Sequence, residues 1–159
     1  MDTIDLQPLC QLIRQQRWAA MATVRNGEPH CTMVGYAVNP ELSALTLHLS
    51  TLAPHTQRLL KSPQISLAIS EIDHEIDDPQ TLARVTINGQ VSPIDKESDA
   101  YSTHKQHYLE RLPNAEMLFS FADFSLYQFS IEKVRYVGGF AKAHNINPQQ
   151  LINAAKSKG

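Results

Sequence analysis

The segment LHLSTLAPHTQRLLKSP, from Leu47 to Pro63, brings hydroxyls, a histidine and an arginine to the start of a short helix. Pro54 stands at the first helical position, where proline is favoured. Free backbone N–H groups and the positive end of a helix dipole attract a phosphate at such a junction. The segment therefore predicts an anion site, with simple N-capping by Thr51 as the alternative. The side chains that can add hydrogen bonds or charge are Ser50, Thr51, His55, Thr56 and Arg58.

Other polar groups indicate weaker chemistry. His104 and His107 are three residues apart on a predicted helix and could bind a metal ion, but no third ligand accompanies them. The acidic run Glu71 to Gln80 lacks a second cluster that would complete a cage, so we expect a solvated loop. Cys10 and Cys31 lie outside any Cys-x-x-Cys motif, which favours buried free thiols. We predict no metal site from these residues.

The composition excludes several classes of protein. The chain has 159 residues, of which 42% are apolar, and a net charge of −2 with neutral histidines. A dedicated nucleic-acid binder should show a basic stripe, and the sequence has none. The apolar runs are far shorter than a membrane span, and the acidic start MDTIDLQPL lacks the basic region of a signal peptide. We expect a cytoplasmic protein with neither a nucleic-acid nor a membrane partner.

Hydrophobic periodicity predicts strands with a few short helices. Asn26-Gly27 is a strong hairpin turn, so the first two strands should pair and form a three-stranded meander with the third. Gly89 indicates a bulge, Asp95 an N-cap and Asn147-Pro148 the start of a last helix. The other predicted helices are Asp5–Gln16, Pro54–Lys61, Asp95–Leu109 and Asn114–Phe119, and the predicted strands are Trp18–Val24, Pro29–Val38, Ala44–Ser50, Gln64–Ser70, Leu82–Ile94 and Phe124–Val137.

These elements predict a mainly β fold. Antiparallel strands with few helices favour a β-barrel with flanking helices over a doubly wound sheet. A meander of this size usually closes on itself or against a partner, because closure removes the unpaired edges. We predict a single domain over residues 1–159, with an N-terminal helix in 1–17, the barrel in 18–137 and a C-terminal loop and helix in 138–159.

Four stretches carry a resemblance to a known family: MATVRNGEPHCTMVGYAV, LHLSTLAPHTQRLLKSPQISL, RVTINGQV and FADFSLYQFSIEKVRYVGGFAKAH. Together they resemble the FMN-binding split-barrel superfamily of pyridoxamine 5′-phosphate oxidase, and most closely its haem-utilisation (HugZ-type) branch. The resemblance extends from Trp18 to Ile146. It implies an antiparallel split barrel that forms a homodimer, with two cofactor sites along the interface.

The resemblance also implies where FMN would lie. The ring would pack on the second hairpin strand, at Cys31, Met33, Val34, Gly35 and Tyr36. The phosphate would lie at the strand-to-helix junction, against Ser50, Thr51, His55 and Thr56, with Arg58 offering charge. Arg84 would face the cofactor from a later strand.

The chain departs from the family pattern at several of these positions. Pyridoxamine-phosphate oxidases carry a basic pair where this chain has Pro54-His55, and an arginine and a lysine where it has Cys31 and Tyr36. Nearer relatives read Arg-Asn after His-Thr, whereas this chain reads Gln57-Arg58. We therefore do not expect pyridoxamine-phosphate oxidase activity itself, and the phosphate would be held mainly by backbone and hydroxyl groups.

Haem-degrading members of the family resemble this chain at His55, Arg84 and Asp123. They ligate haem through a histidine in a C-terminal tail, but LINAAKSKG contains none. His144 is the remaining candidate ligand, and an ordinary surface histidine is the alternative. Asp123 and His55 could also pair across a dimer interface, which would hold one ring tautomer of the histidine.

Three functions follow from this resemblance. The first is an FMN-dependent oxidoreductase, in which the protein positions FMN and the cofactor supplies the redox chemistry. The second is a haem-binding or haem-degrading protein of the haem-utilisation type. The third is a non-enzymatic cofactor-binding module, which the reduced number of basic residues at the phosphate site favours.

Overall fold

The computed structural model describes residues 4–157, so the first residues of the acidic N-terminus and the last two of the tail lie outside it. The helices are α1 (Gln7–Gln15), α2 (Pro54–Lys61), α3 (Asp99–Arg111) and α4 (Pro148–Lys156), with 3-10 segments at Pro79–Thr81 and Pro113–Ser120. The strands are β1 (Trp18–Arg25), β2 (Glu28–Gly35), β3 (Ala37–Val38), β4 (Ala44–Ser50), β5 (Gln64–Ser70), β6 (Arg84–Pro93), β7 (Phe124–Val137) and β8 (Ala143–Ile146).

Within residues 4–157 the strands form one antiparallel sheet in the order β2-β1-β5-β6-β7-β4-β3, and β8 pairs with β7. The two ends of this order, β2 and β3, are separated in the chain by Tyr36 alone. The sheet must therefore curve until its two ends meet, as in a barrel. The predicted fold class, an antiparallel β-barrel with flanking helices, is confirmed.

The first hairpin forms as predicted, and the meander forms with a break in its second strand. Asn26 and Gly27 both have positive φ, 52° and 74°, which is the conformation of a type I′ turn between β1 and β2. The predicted return strand Pro29–Val38 breaks at Tyr36, whose buried hydroxyl donates a hydrogen bond to the carbonyl oxygen of Ile13. Beyond this break the chain pairs with β4, and β4 pairs with β7 rather than with β2.

The later elements follow the sequence predictions in part. The bulge at Gly89 is confirmed by a register shift between β6 and β7 at that residue. The N-cap at Asp95 is wrong, because its carboxylate accepts from the N–H of Glu97 in a separate turn and α3 begins after Ser98. The strand β8 was not predicted. The last helix begins as predicted, with a capping box between Asn147 and Gln150.

Strand β4 is buried on both faces, although its sequence alternates between apolar and polar residues. Leu45, Leu47 and Leu49 belong to the main hydrophobic core. On the opposite face Thr46 and His48 are also buried, because α3 packs against that side of the strand. This second face forms the base of the site described next. None of the helices in residues 4–157 is long and apolar enough to cross a membrane.

Candidate functional site

A cleft of about 740 Å³ lies where the ends of β2 and β4 face α3 and the 3-10 segment Pro113–Ser120. Its volume is in the range of small-molecule and cofactor sites. Most of its wall is apolar, and a few polar groups converge on it, which is also typical of such sites. The apolar lining includes Trp18, Met33, Val34, Leu49, Leu112, Leu118 and Phe124, and the polar lining is Arg17, His48, Ser50, His55, Tyr108 and Asn114.

The predicted ring-binding strand contributes only its last residues to this cleft. Met33, Val34 and Gly35 line it. Cys31 is exposed, contrary to the expectation of a buried thiol, because β2 is the terminal strand of the sheet order; Cys10 is buried. Tyr36 points away from the cleft and lines a separate cavity of about 310 Å³ near Arg14.

The predicted phosphate junction has an acidic group at its centre. The hydroxyl of Ser50 donates to the carboxylate of Asp123 at 2.5 Å, and the N–H of Thr51 donates to the carbonyl oxygen of Asp123 at 2.7 Å. The N–H of Leu52 donates in turn to the Ser50 oxygen at 3.2 Å. Two of the expected phosphate donors are therefore already in use. A carboxylate at this point also repels an anion.

The remaining predicted phosphate and cofactor residues do not line the cleft. Thr56 is fully buried, and its hydroxyl has no partner among the residues that the structure describes. Arg58 turns towards Glu28, with 3.3 Å to its carbonyl oxygen and 3.9 Å to its carboxylate. Arg84 donates to carbonyl oxygens of the preceding loop, those of Gln80 and Leu82.

His48 is one of the polar residues of this cleft that the sequence did not single out; Arg17, Tyr108 and Asn114 are the others. Its side chain is 6% exposed, and neither ring nitrogen has a hydrogen-bond partner within residues 4–157. Its ring stacks on Phe119, with centroids 3.8 Å apart, and lies close to Tyr108 and Phe124. Burial, helped by the positive charges of Lys96 and Lys105, lowers the pKa of His48 from 6.5 to about 4. The signal in the sequence was the polar face of β4, but alternation alone cannot show that this face is covered.

His55, on the first turn of α2, is a second histidine in the same cleft. Burial lowers its pKa, and the neighbouring charge of His30 lowers it further. Both cleft histidines are therefore neutral near pH 7, and a neutral imidazole has a nitrogen lone pair that can bind a metal. Arg17 adds a permanent positive charge to the lining.

The other candidate residues do not line the cleft. His144 is on β8, opposite Tyr136, and lines a different cavity. Asp123 bonds to Ser50 rather than to His55. His104 pairs with the hydroxyl of Thr46 at 2.7 Å. In the part of the chain that the structure describes, no three His, Cys, Asp or Glu residues are grouped to hold a metal ion.

Haem and FMN need different groups from a cleft of this kind. Haem needs apolar walls for its ring, a nitrogen ligand for its iron and a cation for its carboxylates. The apolar lining, the imidazoles of His48 and His55 and the guanidinium of Arg17 include groups of these kinds. FMN needs donors for a phosphate, and at the junction the Ser50 hydroxyl and the Thr51 N–H are bonded to Asp123.

The curved antiparallel barrel and its cofactor-sized cleft define a split-barrel protein with a candidate ligand site beside the end of β2. The family is shown by a model described as CREG, beta-barrel, which matches residues 10–153, and the chain belongs to that family. The resemblance to the FMN-binding split-barrel superfamily, and within it to the HugZ-type branch, is confirmed by the relatives described next.

The chain is 34% identical to the chloroplastic heme oxygenase HOZ of Arabidopsis thaliana over 119 residues. The aligned residues cover 74% of this chain and 34% of HOZ. It is 24% identical over 151 residues to the heme oxygenase HutZ of Vibrio cholerae, covering 93% of this chain and 85% of HutZ. The chain thus spans about a third of the first of these relatives.

Solved structures show the same fold. A heme binding protein from Mycobacterium smegmatis superposes with a TM-score of 0.84 at 23% identity, over 96% of this chain and 62% of that one. A FAD-binding protein from Mesorhizobium loti superposes with a TM-score of 0.67 at 15% identity, over 84% of this chain and 92% of that one. The fold is therefore shared by proteins whose names refer to haem and to flavin.

Proposed function

We propose that this chain is a haem-binding protein of the haem-utilisation type and that haem occupies the cleft between β2, β4 and α3. The observation that carries the proposal is the pair of neutral histidines, His48 and His55, in an apolar cleft of about 740 Å³. The names of HOZ and HutZ, both heme oxygenases, support it. Bound haem would supply the redox chemistry of haem breakdown, and the chain would bind, orient and shield it.

Each part of the cleft has a role in this proposal. Val34, Leu118 and Phe124 would pack against the ring, and burial of this apolar surface would provide most of the affinity. Arg17 would pair with a haem carboxylate, and such charge-assisted hydrogen bonds also orient the ligand. One of the two neutral histidines would offer a nitrogen ligand to the iron.

Titration of the purified chain with haem, followed by the Soret band, tests the proposal. We expect Arg17→Ala to weaken haem binding by about tenfold, which corresponds to about 1.4 kcal/mol. Arg135→Ala is the matched control, because Arg135 lies on β7 and bonds to Asn145, outside the cleft. If haem does not bind the unaltered chain, or if both variants bind it equally well, haem in this cleft is the wrong proposal.

FMN binding, with an FMN-dependent oxidoreductase activity, is the second candidate. It is favoured by β2, which among the described strands pairs with β1 alone and leaves one backbone edge at Met33–Gly35 available to a ring. FMN titration by flavin fluorescence tests it. Asp123→Asn should strengthen FMN binding by removing the negative charge at the phosphate junction. Tight FMN binding with weak haem binding would reverse the order of the two candidates, and binding without turnover of either would indicate a non-enzymatic module.

We also propose that the protein is a homodimer and that its sites are completed at the interface. Apolar side chains are exposed around the cleft, among them Trp18, Leu52 and Met117. A second subunit would cover such a patch. In this proposal Cys31, Arg84 and the pairing of Asp123 with His55 act across the interface.

A further inference from the structure

His48 is a buried polar side chain whose position the fold alone does not explain. A buried group without hydrogen bonds costs about 1–3 kcal/mol, so such groups are rare. The neighbours of His48 on the same face of β4 are both satisfied, Thr46 by His104 and Ser50 by Asp123. His48 alone on this face has two unpartnered nitrogens among the described residues. Packing against aromatic rings would be served equally well by a phenylalanine.

The surroundings of His48 keep its ring neutral and hold it in place. Phe119 covers one face of the ring, at an interplanar angle of 10°. Tyr108 and Phe124 pack at its sides, and Lys105 lies 5.0 Å from the centre of the Phe119 ring. An imidazole in such an environment keeps a lone pair for a metal. It is also held with little rotational freedom, which lowers the entropic cost of binding.

We propose that His48 binds the iron of haem in the cleft; this inference rests on the proposed haem function. The cleft reaches His48 directly, since the residue is part of its lining. His55, on the first turn of α2, is the competing ligand, but its surroundings include the charge of His30 rather than a set of aromatic rings. The aromatic side chains around His48 could pack against the apolar porphyrin ring that holds the iron.

Binding of iron by His48 requires a small movement of the segment Pro113–Ser120. The ring nitrogens are shielded from solvent in the free chain, and Phe119 belongs to this segment. The backbone hydrogen bonds of the segment are local, such as Ala115 to Leu112 and Phe121 to Leu118. Met117 on its outer side is 71% exposed. The segment can therefore shift and admit haem without breaking strand pairing.

Two porphyrins separate a role at the iron from a role in packing. Haem and metal-free protoporphyrin IX are titrated into the full chain, its His48→Ala variant and its His55→Ala variant. His74→Ala is the matched control, because His74 is exposed in the loop after β5. We expect His48→Ala to lose at least about tenfold in haem affinity and to change the Soret spectrum. Its affinity for protoporphyrin should stay within about twofold of the unaltered chain, and His55→Ala should keep the original Soret spectrum.

Each other outcome overturns a distinct statement. If the unaltered chain binds neither porphyrin, the proposed function fails and the inference fails with it. If the unaltered chain binds haem and His48→Ala binds it equally well with the same spectrum, only the inference fails. An equal loss of affinity for both porphyrins would assign His48 a packing role and overturn the inference as well.

A second pair of variants tests the same inference if His48→Ala does not fold. His48→Gln keeps a polar side chain of similar size but removes the imidazole, and its fold is checked by thermal unfolding. It should show the same selective loss of haem affinity. His48→Gly leaves a space for free imidazole, and added imidazole should restore the original Soret spectrum. If the folded His48→Gln variant retains that spectrum, His48 is not the ligand.

Discussion

The two histidines that line the cleft differ in how the chain surrounds them. His55 lies at the start of α2, in the segment where polar residues cluster, and was expected at a binding site from the sequence. His48 lies in the middle of the cleft wall among aromatic rings. The environment of its ring is formed by Tyr108 and Phe119, which are more than fifty positions further along the chain. The pKa is therefore lowered most at His48, which the sequence indicated less clearly than His55.

The lowered pKa of His48 predicts how stability depends on pH. The unfolded chain takes up this proton near pH 6.5, whereas the folded chain resists it until about pH 4. The contribution of the neutral His48 ring to the free energy of unfolding is complete above pH 6.5. It is lost as the pH falls to 4, a change of about 3 kcal/mol. Urea unfolding at pH 7 and pH 4 should show His48→Gln losing less stability than the unaltered chain. His74→Gln should behave like the unaltered chain, and equal losses in all three would contradict the assignment.

At the scale of elements, most strands and helices form where local patterns predict them. The strands β4, β5 and β7 and the helix α2 have the predicted bounds. The errors occur where a distant contact overrides a local pattern. Burial of Tyr36 beneath α1 divides the return strand, and pairing with β7 turns the segment after Gly138-Gly139 into β8.

The bulge in β6 predicts a large cost for a small substitution. A Cβ atom at Gly89 would lie 2.0 Å from the carbonyl oxygen of Ser130, so the backbone of β7 would have to move. We expect Gly89→Ala to lower the free energy of unfolding by about 2–4 kcal/mol. Gly27→Ala is the comparison, because it has open space but a φ of +74°, and it should cost about 1 kcal/mol. Urea unfolding measures both, and a smaller loss for Gly89→Ala would argue against the close contact.

The capping box of α4 predicts a moderate effect at the end of the chain. The side chain of Asn147 accepts from the N–H of Gln150 at 2.9 Å, and the Gln150 side chain accepts from the N–H of Asn147 at 2.9 Å. Asn147→Ala should therefore cost about 1 kcal/mol of stability. Gln149→Ala, in the same helix but outside the box, is the control. Equal unfolding midpoints for the two variants would contradict a role for the cap.

At the scale of the whole molecule, the proposed homodimer predicts that the chain associates through the apolar residues near the cleft. Leu52, 73% exposed next to the strand-to-helix junction, is a suitable probe. We expect Leu52→Asp to shift the protein from dimer to monomer in sedimentation, because a buried charge without a partner is strongly unfavourable. Ile76→Asp is the matched control, since Ile76 is 82% exposed in the acidic loop. Two variants with the same dimer fraction, or an unaltered chain that is monomeric, would contradict the proposal.

The sequence by itself determined the class of fold, the positions of most elements, the first hairpin turn, the bulge and the family. These features depend on residues close together in the chain, whose periodicity and turn preferences are visible locally. It also indicated that the segment around Ser50 and His55 borders a ligand site, and both residues line the cleft.

Only the tertiary structure decided which strands pair and which polar residues face the cleft. The pairing of β4 with β7 aligns His48 with Leu126, and α3 covers the same face from further along the chain. Ser50 finds Asp123 in the same way, and this contact places a carboxylate at the predicted phosphate junction. Such contacts join residues that are distant in sequence, so no local pattern records them. The identity of the site depends on them.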